Sequence, residues 1–360
     1  MKKVCFLIGN LNNSGGTERV TTLIANGLSK QNYQVSILSL ADGTQPFFQL
    51  EENIRTYSLF PYQIPMKKNF IKAVWCIRKF VIQHKIDTLV VVDSITCVFT
   101  VPALLGLNIK HICWEHFNFN VNLNVKFRDL GRKWAAKYCD IVITLTERDK
   151  KLWQNGLKKI KANILSIPNP VPYENIDHHP TLKNKIVLAV GRLTYQKGFD
   201  LLLEAWQKVC ESCQDWTLRI IGSGEDEIFL KQRAQKLGIQ ERVDFIPVTS
   251  NIEFYYKNSS FYCLSSRFEG FGMVLLEAQA FGLPVISFDC DAGPSDIIKS
   301  EENGFLVENL NVQLLANQLL VATKMSVNHY NAMSDSAILN SKRYYIDNIV
   351  HHWVSLLENK

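Results

Sequence analysis

Apolar residues along this chain follow two alternating patterns. Short continuous apolar runs alternate with segments in which apolar residues recur at helical spacing. In the first half the runs predict strands at 3–9, 34–40, 88–94, 111–116 and 141–146, and the helical segments are 17–30, 68–84 and 124–138. Continuous apolar strands that alternate with helices are typical of a parallel sheet covered on both faces. This half therefore predicts a doubly wound α/β domain.

The same pattern begins again near residue 185. Predicted strands lie at 185–191, 216–224, 242–248, 261–266 and 284–289, with helices at 198–213, 226–237, 251–258 and from about residue 271. Between the halves, four prolines and several polar residues in 167–185 are typical of an interdomain linker. We therefore expect domains at 1–170 and 185–339, joined by a linker at 171–184. An apolar C-terminal helix in 340–360 is expected to pack on the first domain.

The composition is that of a globular protein. Of the 360 residues, 47% are hydrophobic, and no apolar run approaches the roughly 20 residues that cross a bilayer. The apolar stretch near the N-terminus leads into asparagine and glycine without a small-residue cleavage site, which favours a first strand over a signal peptide. We therefore expect the chain to be cytoplasmic.

The nine cysteines are scattered, and many lie in predicted strands or helices. This distribution is typical of buried reduced thiols and not of a disulfide framework. Cys210 and Cys213 form a single CxxC within a predicted helix, without a second pair or a nearby histidine. Helix packing is therefore the expected role of these two cysteines, and we expect no metal site.

Basic residues are concentrated in the first half, although the net charge is only +6. Residues 67–85 contain six lysines or arginines and no acid, and their apolar residues recur at helical spacing. Two interpretations are open: a helix that lies on an anionic membrane surface, or a domain helix with an apolar core face and solvated lysines. Further basic residues in 126–161 favour the membrane. Nucleic acid is disfavoured, because no recognised binding module accompanies the charge.

Residues 265–282 contain a predicted loop-to-helix transition with two glycines at its start. A helix that begins near Phe271 leaves the backbone amides around Gly270 and Gly272 without helical partners. Together with the helix dipole, these amides favour a negatively charged ligand such as a phosphate.

Glu269 and Glu277 lie on either side of this transition. At 100° per residue along a helix their eight-residue separation corresponds to an offset of about 80°, so both can face one cleft. Ionised carboxylates accept hydrogen bonds from hydroxyl groups, which suits a polyhydroxylated ligand. The alternative is an amphipathic helix with solvated acids. The apolar residues that flank Glu277 disfavour this alternative, and a buried acid there needs a partner.

Two further loops carry candidate residues. Gly15 and Gly16 lie at the first strand-to-helix junction, where glycine lets a backbone approach a ligand, although such a pair is often only a turn. Arg192 and Lys197 follow a predicted strand and suit a diphosphate, because arginine offers a fork and lysine a compact charge. The alternative for this pair is two exposed loop cations. The Gly-Ser-Gly at 222–224 lacks the full dinucleotide fingerprint.

Four segments together match a known family. They are GGTERVTTLIANGLS (15–29), GRLTYQKGFDLLLEAW (191–206), SSRFEGFGMVLLEA (265–278) and GLPVISFDCDAGPSDII (282–298). In this order they resemble the family-4 retaining nucleotide-sugar glycosyltransferases, and most nearly those of bacterial exopolysaccharide, capsule and O-antigen synthesis. The resemblance implies the GT-B fold, in which two Rossmann-like, doubly wound parallel-sheet domains face each other across a cleft.

The resemblance also implies roles for individual residues. The substrate-binding residues would be Gly15, Gly16, Arg192, Lys197, Glu269, Gly270, Phe271, Gly272, Met273 and Glu277. The catalytic residues would be His116, Arg192, Lys197 and Glu269. Among these, Glu269 would contact the donor sugar and Glu277 the ribose, whereas Arg192 and Lys197 would neutralise the diphosphate. His116 matches the active-site histidine of the family, and Glu115 would either orient the acceptor or be solvated.

The implied function is transfer of a hexose, with galactose or glucose favoured, from a UDP-sugar to a lipid-linked or growing polysaccharide acceptor in bacterial surface polysaccharide synthesis. The expected partners are these two substrates and, peripherally, the inner face of the plasma membrane. No cofactor or metal is expected, because cationic side chains serve the diphosphate. The acids of Asp289-Cys290-Asp291 are therefore interpreted as part of a strand-end loop.

Alternatives remain open for both the function and the mechanism. The chain could be a nonenzymatic sugar-nucleotide-binding or scaffold protein on the same fold, or a family-4 transferase that uses a GDP-sugar or a UDP-N-acetylhexosamine. In the retaining reaction, either the acceptor attacks on the face from which the diphosphate departs, or a carboxylate first forms a covalent sugar intermediate.

Overall fold

The apolar runs form two separate parallel sheets in the computed structural model, which describes residues 1–358. One sheet belongs to a unit formed by Met1–Pro170 together with the chain from Ile346 onward, and the other belongs to a unit formed by Val171–Tyr345. Residues 171–184 are thus part of the second unit.

The strands are β1 Lys2–Ile8, β2 Tyr33–Ala41, β3 Arg55–Phe60, β4 Thr88–Val92, β5 Lys110–Trp114, β6 Ile141–Thr144, β7 Asn163–Ser166, β8 Ile186–Val190, β9 Thr217–Ile221, β10 Val243–Ile246, β11 Phe261–Leu264, β12 Val285–Asp289 and β13 Gly304–Glu308. The α-helices are α1 Gly16–Ser29, α2 Phe70–His84, α3 Cys97–Leu104, α4 Lys126–Tyr138, α5 Glu147–Gly156, α6 Phe199–Ser212, α7 Glu227–Lys236, α8 Ile252–Lys257, α9 Met273–Ala280, α10 Pro294–Ile297, α11 Val312–Thr323, α12 Val327–Lys342 and α13 Ile346–Glu358.

The sheet of the first unit has the strand order β3-β2-β1-β4-β5-β6-β7. Its central strands are buried, β4 throughout and β1 from Val4 onward, because helices cover both faces. Helix α13 packs on this sheet through Trp353, whose ring lies 4.9 Å from that of Trp114 and 5.9 Å from that of Phe6. The strand order reverses between β1 and β4, and open α/β sheets bind ligands at the carboxyl ends of the strands at such a switch point.

The sheet of the second unit has the order β10-β9-β8-β11-β12-β13, with its switch point between β8 and β11. These two strands pair only at Val187 with Phe261 and at Leu188 with Tyr262. Beyond that register, the Tyr262 hydroxyl contacts the backbone nitrogen and oxygen of Val190 at 3.3 and 3.1 Å. The buried Tyr262 side chain thus provides the hydrogen-bond partners of Val190, where β11 no longer pairs with β8. The two strands separate at the carboxyl end of the sheet.

The structure adds elements that the periodicity did not indicate. Helix α3 is apolar on every side and contains Pro102, so it lacks an amphipathic pattern. Half of the residues of helix α5 are charged, and it buries only Asp149 and Trp153. Strands β3, β7 and β13 and helices α10 and α11 were likewise missed, since sheet edges and short connections carry weak patterns. The expected helix in 340–360 corresponds to α13, which begins at Ile346, whereas α12, which ends at Lys342, was missed.

Candidate functional site

The switch point of the second sheet collects most of the residues singled out in the sequence. The loop after β8 carries Arg192 and Lys197, and the loop after β11 carries Glu269. Because β8 and β11 are neighbours in the sheet, residues far apart in the chain meet at one carboxyl edge. This edge is where a doubly wound sheet binds its ligand.

An ion pair joins these two loops. The ammonium nitrogen of Lys197 lies 2.6 Å from Oε1 of Glu269, and the Ser266 hydroxyl donates a hydrogen bond of 2.7 Å to the same oxygen. The side chains of Lys197 and Glu269 are only 17% and 8% exposed. Little water therefore screens the pair, and its geometry is set before any ligand arrives.

Backbone contacts hold the loops against each other. Gly198 has a φ of 62°, and a Cβ added there would lie 2.1 Å from the carbonyl oxygen of Ser265. The Ser265 hydroxyl donates to the Lys197 carbonyl at 2.9 Å. Arg267 forms a bidentate pair with Asp200 at 2.8 and 2.7 Å. Only glycine at position 198 permits the close approach to the Ser265 carbonyl. This approach positions the side chain of the preceding residue, Lys197.

The start of α9 presents free backbone amides beside the ion pair. Gly272 precedes the helix with a φ of 88°, so α9 begins at Met273 and not near Phe271 as expected. Within the described chain the amides of Phe271 and Gly272 donate no hydrogen bond to another residue. The loop after β12 packs closely here, because a Cβ at Gly293 would lie 2.2 Å from the Phe271 carbonyl oxygen. Gly270 lies in the same turn, and the turn favours an anion.

Glu277 lies in α9 and is 8% exposed. Its Oε2 accepts a hydrogen bond of 3.0 Å from the hydroxyl of Tyr256, which confirms that this buried acid has a partner. Burial, together with the charge of Glu277, raises the pKa of Tyr256 well above its usual range, so that its hydroxyl stays a donor. The Tyr256 ring in turn stacks on Phe281, with centroids 5.1 Å apart and an interplanar angle of 10°.

The expected 80° offset between the two acids is wrong in its premise. Glu269 precedes α9 and lies in the loop, so no helical angle relates it to Glu277. Each carboxylate has its own environment instead: an ion pair for Glu269 and a tyrosine hydroxyl for Glu277. Sequence spacing cannot reveal this difference, because both partners come from distant segments.

Arg192 is exposed, and its side chain makes no hydrogen bond or ion pair with any other residue in 1–358. The adjacent Gly191 lies under the Lys197 stem, since a Cβ there would be 3.1 Å from Cε of Lys197. The Gly-Ser-Gly after β9 packs on the same loop: a Cβ at Gly222 would lie 1.9 Å from the Gly191 carbonyl oxygen. The glycines at 222–224 therefore serve close loop packing.

The acids of Asp289-Cys290-Asp291 lie where β12 ends, with Asp289 as the last residue of the strand. Cys290 between them is buried, and its Sγ lies 3.7 Å from the Ala292 carbonyl oxygen. Burial raises the pKa of the Cys290 thiol to about 12, so this cysteine stays a neutral thiol. The segment is a strand-end loop.

The first unit holds the remaining candidates. Gly15 precedes α1, and Gly16 is its exposed first residue. A Cβ at Gly15 would lie 2.4 Å from Oε2 of Glu18, whereas a Cβ at Gly16 would meet nothing within 4 Å. Packing within the chain therefore does not require glycine at position 16. Close approach of a ligand is a physical reason for a glycine there.

His116 follows β5, and its ring lies 4.5 Å from that of Trp114. Its Nε2 is buried and has no hydrogen-bond partner among the described residues. Burial lowers the pKa of His116 to about 3, so the imidazole is neutral near pH 7. A buried polar atom without a partner costs about 1–3 kcal/mol, and a hydrogen bond from Nε2 to a ligand or a water would relieve this cost.

Glu115 is 1% exposed, so the expectation that it could be solvated is wrong. Its carboxylate accepts the amides of His116 and Phe117, both at 3.1 Å, and the Ser94 hydroxyl. Nε of Arg132 lies 3.4 Å from it. Glu115 thus shapes the loop that carries His116.

A buried charge network next to Glu115 was missed in the sequence. Arg128 pairs with Asp93 at 2.9 Å and stacks over the Phe117 ring at 4.0 Å. Asp93 has a φ of 78°, and burial together with the Glu115 carboxylate raises its pKa. Arg132 donates to carbonyl oxygens of the loop at Asn118, Phe119 and Val121. No local pattern signals these residues, because β4, β5 and α4 bring them together.

The predicted residues thus form two groups. Within the second unit the structure brings together Arg192, Lys197, Glu269, Gly270, Phe271, Gly272, Met273 and Glu277 around the carboxyl ends of β8 and β11. Gly15, Gly16 and His116 belong to the first unit, at the carboxyl ends of β1 and β5.

Comparison with known proteins covers almost the whole chain. The family described as Glycosyltransferase Family 4 matches residues 14–175, and the family described as Glycosyl transferases group 1 matches residues 174–339. An uncharacterised glycosyltransferase of Haemophilus influenzae is 42% identical over 99% of this chain and 100% of its own length.

Two further relatives have named activities. The amylovoran biosynthesis glycosyltransferase AmsD of Erwinia amylovora is 29% identical over 99% of this chain and 100% of its own length. An alpha-1,4-N-acetyl-D-galactosaminyltransferase of Campylobacter jejuni, named for a PP-undecaprenol-linked glycan, is 28% identical over 99% of this chain and 98% of its own length.

Solved structures share the fold at low identity. A TarM mutant of S. aureus in complex with Fondaparinux, alpha-GlcNAc-glycerol and UDP superposes with a TM-score of 0.82 at 16% identity, over 100% of both chains. The sucrose-phosphate synthase of Thermosynechococcus elongatus superposes with a TM-score of 0.84 at 17% identity, over 99% of this chain and 98% of the other.

Proposed function

Because this chain belongs to the family-4 glycosyltransferases and has the GT-B fold, we propose that it is a retaining hexosyltransferase of bacterial surface polysaccharide synthesis. Its donor would be a UDP-sugar, with galactose or glucose favoured. Its acceptor would be a lipid-linked or growing polysaccharide. The relatives named for amylovoran synthesis and for a PP-undecaprenol-linked glycan support this assignment of the acceptor class.

One observation carries the proposal: the buried ion pair of Lys197 and Glu269 at the switch point of the second sheet. An ammonium group has three donor hydrogens, and only part of this capacity serves Glu269. The remainder is available to a diphosphate. A carboxylate can accept several hydrogen bonds, so Glu269 would also accept them from sugar hydroxyls, and one pair would address both halves of a nucleotide sugar.

Departure of the diphosphate is the step that these cations assist. The acceptor oxygen forms a bond to the anomeric carbon while the bond from that carbon to the diphosphate oxygen breaks. The acceptor proton passes to the departing phosphate. Lys197, Arg192 and the amides at the start of α9 stabilise the negative charge that develops on that phosphate. In the alternative retaining mechanism a carboxylate first forms a covalent sugar intermediate.

Recognition of the donor is divided between the two acids. Glu269 would accept hydrogen bonds from the sugar hydroxyls, and Glu277 would accept them from the ribose hydroxyls. Tyr256 orients the Glu277 carboxylate, because its hydroxyl donates to Oε2 at 3.0 Å. In the first unit, the free Nε2 of His116 and the exposed turn at Gly16 would contact the sugar and the phosphate.

A lipid-linked acceptor implies that the enzyme acts at a membrane surface. None of the helices in residues 1–358 has both the length and the hydropathy needed to cross a bilayer. Helix α2, however, presents a second apolar stripe to the solvent. Ile71, Trp75 and Ile82 are 82%, 59% and 53% exposed and lie within about 40° of one another at 100° per residue.

Basic residues flank this stripe. Lys67 and Lys68 precede α2, and Lys79 lies in it with its ammonium nitrogen 5.2 Å from the Trp75 ring centroid. The opposite side of α2 is packed in the core through Ala73, Ile77 and Val81. The two interpretations of the 67–85 pattern are therefore compatible, and we propose that the exposed stripe lies on an anionic bilayer at the inner face of the plasma membrane.

A donor panel tests the proposed activity. Purified protein is incubated with UDP-, GDP- and ADP-hexoses and with UDP-N-acetylhexosamines, and release of free sugar and nucleotide is followed. We expect turnover with UDP-galactose or UDP-glucose, with a product that keeps the anomeric configuration of the donor. Glu269→Gln should abolish it, whereas the control Glu253→Gln, an exposed acid on α8, should not.

The outcomes of this panel separate the alternatives. Turnover with only a GDP-sugar or a UDP-N-acetylhexosamine would replace the proposed donor but keep the transferase. Binding without turnover, also in the presence of an undecaprenyl-linked acceptor extract, would indicate a nonenzymatic sugar-nucleotide-binding protein. Full activity of Glu269→Gln would overturn the assignment of the site.

A further inference from the structure

A cluster of buried sulfur and nitrogen atoms lies in the first unit, apart from the residues of the proposed reaction. Sγ of Cys97, a ring nitrogen of His111 and Sγ of Cys139 all lie within 4.8 Å of one another. Cys97 and Cys139 are separated by 4.0 Å between sulfurs, and Cys139 Sγ lies 3.5 Å from Nδ1 of His111. All three residues are buried.

Three segments of the fold contribute these atoms. Cys97 is the first residue of α3, His111 lies in β5, and Cys139 directly follows α4. The chain positions are far apart and have no motif spacing, so the cluster is visible only in the folded unit. A ligand bound there would connect both helices to the central sheet.

The orientation of the imidazole suits a metal ligand. Nε2 of His111 lies 3.0 Å from the Thr100 hydroxyl oxygen, and that hydroxyl lies 3.5 Å from the Thr96 carbonyl oxygen. If the hydroxyl donates to the carbonyl, its oxygen accepts the Nε2 proton, and Nδ1 directs a lone pair at the sulfurs. Metal-binding histidines are held in this way by a partner on their second nitrogen.

Two of the three ligand separations match a tetrahedral zinc site, and the third is within 4.8 Å. With zinc-sulfur bonds of about 2.3 Å and zinc-nitrogen bonds of about 2.0–2.1 Å, tetrahedral geometry separates two sulfurs by about 3.8 Å and sulfur from nitrogen by about 3.6 Å. The observed separations are 4.0 and 3.5 Å. A disulfide would require about 2.0 Å between the sulfurs, so the two cysteines are separate ligands.

Charge balance in the buried cluster also favours a divalent cation. Binding of Zn²⁺ would release one proton from each of the thiols of Cys97 and Cys139 to solvent. Two thiolates and a neutral imidazole then neutralise the ion, so no net charge is buried. Cys113, two residues after His111 on the same face of β5, is also fully buried, but its Sγ is not among the ligand atoms that all lie within 4.8 Å of one another.

We propose that Cys97, His111 and Cys139 form a buried structural zinc site in the first unit, with Thr100 positioning the imidazole. This departs from the expectation that the chain has no metal site. The zinc ion would link the start of α3 and the end of α4 to β5. The site is independent of the donor chemistry proposed for the second unit.

Zinc content and cobalt spectroscopy test the site. The full chain is expressed with supplemented zinc, freed of any affinity tag, dialysed and analysed by mass spectrometry for metals. We expect zinc equimolar with protein. Protein depleted of zinc and reconstituted with Co²⁺ should show thiolate-to-cobalt charge transfer and the intense visible bands of tetrahedral cobalt.

Matched variants locate the metal. Cys139→Ser should lose the zinc and the cobalt charge transfer, whereas Cys263→Ser, a buried cysteine of β11, should retain both. Thr100→Val keeps all ligands and should weaken zinc affinity by about 10–100-fold in a chelator competition, with unchanged circular dichroism.

Three results would overturn the proposal. One is wild-type protein that lacks zinc and gives no cobalt charge transfer. Another is zinc bound equally by wild type and Cys139→Ser. The third is an intact mass of the native protein that shows a disulfide between Cys97 and Cys139.

Discussion

The ammonium nitrogen of Lys197 lies 2.6 Å from Oε1 of Glu269, although the two residues are 72 positions apart in the chain. The parallel strands β8 and β11 bring their loops together at one edge of the sheet. Because the pair is largely buried, neither charge is well solvated without the other. Changes at these two positions are therefore expected to be coupled.

Lys197→Ala should reduce kcat/KM for the nucleotide sugar by about 10²–10³-fold, the usual cost of removing one group that stabilises developing negative charge. The double variant with Glu269→Ala should lose less than the product of the two single losses, since each single change already disrupts the pair. Steady-state kinetics on the four proteins of this cycle provide the measurement.

The exposed pair of Lys231 and Glu227, 2.7 Å apart on α7, supplies the control for this cycle. Lys231→Ala should leave kcat/KM unchanged, because the pair is solvated and lies outside the site. Independent, fully multiplicative losses at Lys197 and Glu269 would contradict the coupling.

Tyr256→Phe should raise KM for the donor more than it lowers kcat, because the lost hydroxyl orients Glu277 for binding and not for bond cleavage. The lost hydrogen bond to a carboxylate should also reduce the free energy of unfolding by about 1.5–3 kcal/mol. Urea denaturation and donor titration check both effects. Tyr255→Phe, on the preceding residue of α8, should change neither, and equal effects of both substitutions would refute the role of Tyr256.

Asp149 should contribute stability that is lost as the pH rises; Asp93 acts in the same direction and His116 in the opposite one. Burial raises the pKa of this carboxyl to about 7, from a usual value of about 3.9. Between these values the native state binds the proton more tightly than the unfolded chain, so the contribution of Asp149 to the free energy of unfolding decreases as the pH rises and levels off above about pH 7. The full effect is on the order of 4 kcal/mol.

Asp149→Asn should remove this decrease, since the asparagine oxygen can still accept the Phe119 amide without an ionisable proton. Urea denaturation at pH 5 and pH 8 measures the difference for both proteins. Glu147→Gln, an exposed change on the same helix, should keep the wild-type pH dependence. An Asp149→Asn protein with the wild-type dependence would contradict the assignment.

Sedimentation with vesicles checks the proposed role of α2. Wild type should bind vesicles that contain anionic lipid more tightly than neutral vesicles, and added salt should weaken the binding. Ile71→Ser with Trp75→Ser should remove most of it, because both side chains are exposed and apolar. Lys231→Glu on α7 should have little effect. Undiminished binding of the Ile71 and Trp75 double variant would exclude α2 as the contact.

Strong local patterns explain which elements were predictable. Strands β1, β4 and β6 are continuous apolar runs, and α1 and α6 are amphipathic, so each was found within a few residues. Helix α3 was missed because it is apolar all round, and α5 because half of its residues are charged and few are apolar. The start of α9 was misplaced by two residues, since Gly272 adopts a φ that postpones the helix.

By itself the sequence determined the α/β class, the alternation that makes both sheets parallel, and the family, because these depend on local periodicity and on motifs within short segments. It also supplied the residues Arg192, Lys197, Glu269 and Glu277. Only the tertiary structure decided their partners: Lys197 for Glu269, Tyr256 for Glu277, and Arg132 for Glu115. The same holds for the cluster of Cys97, His111 and Cys139. The physical reason is that strand order, which sequence spacing does not encode, determines which loops meet at a sheet edge.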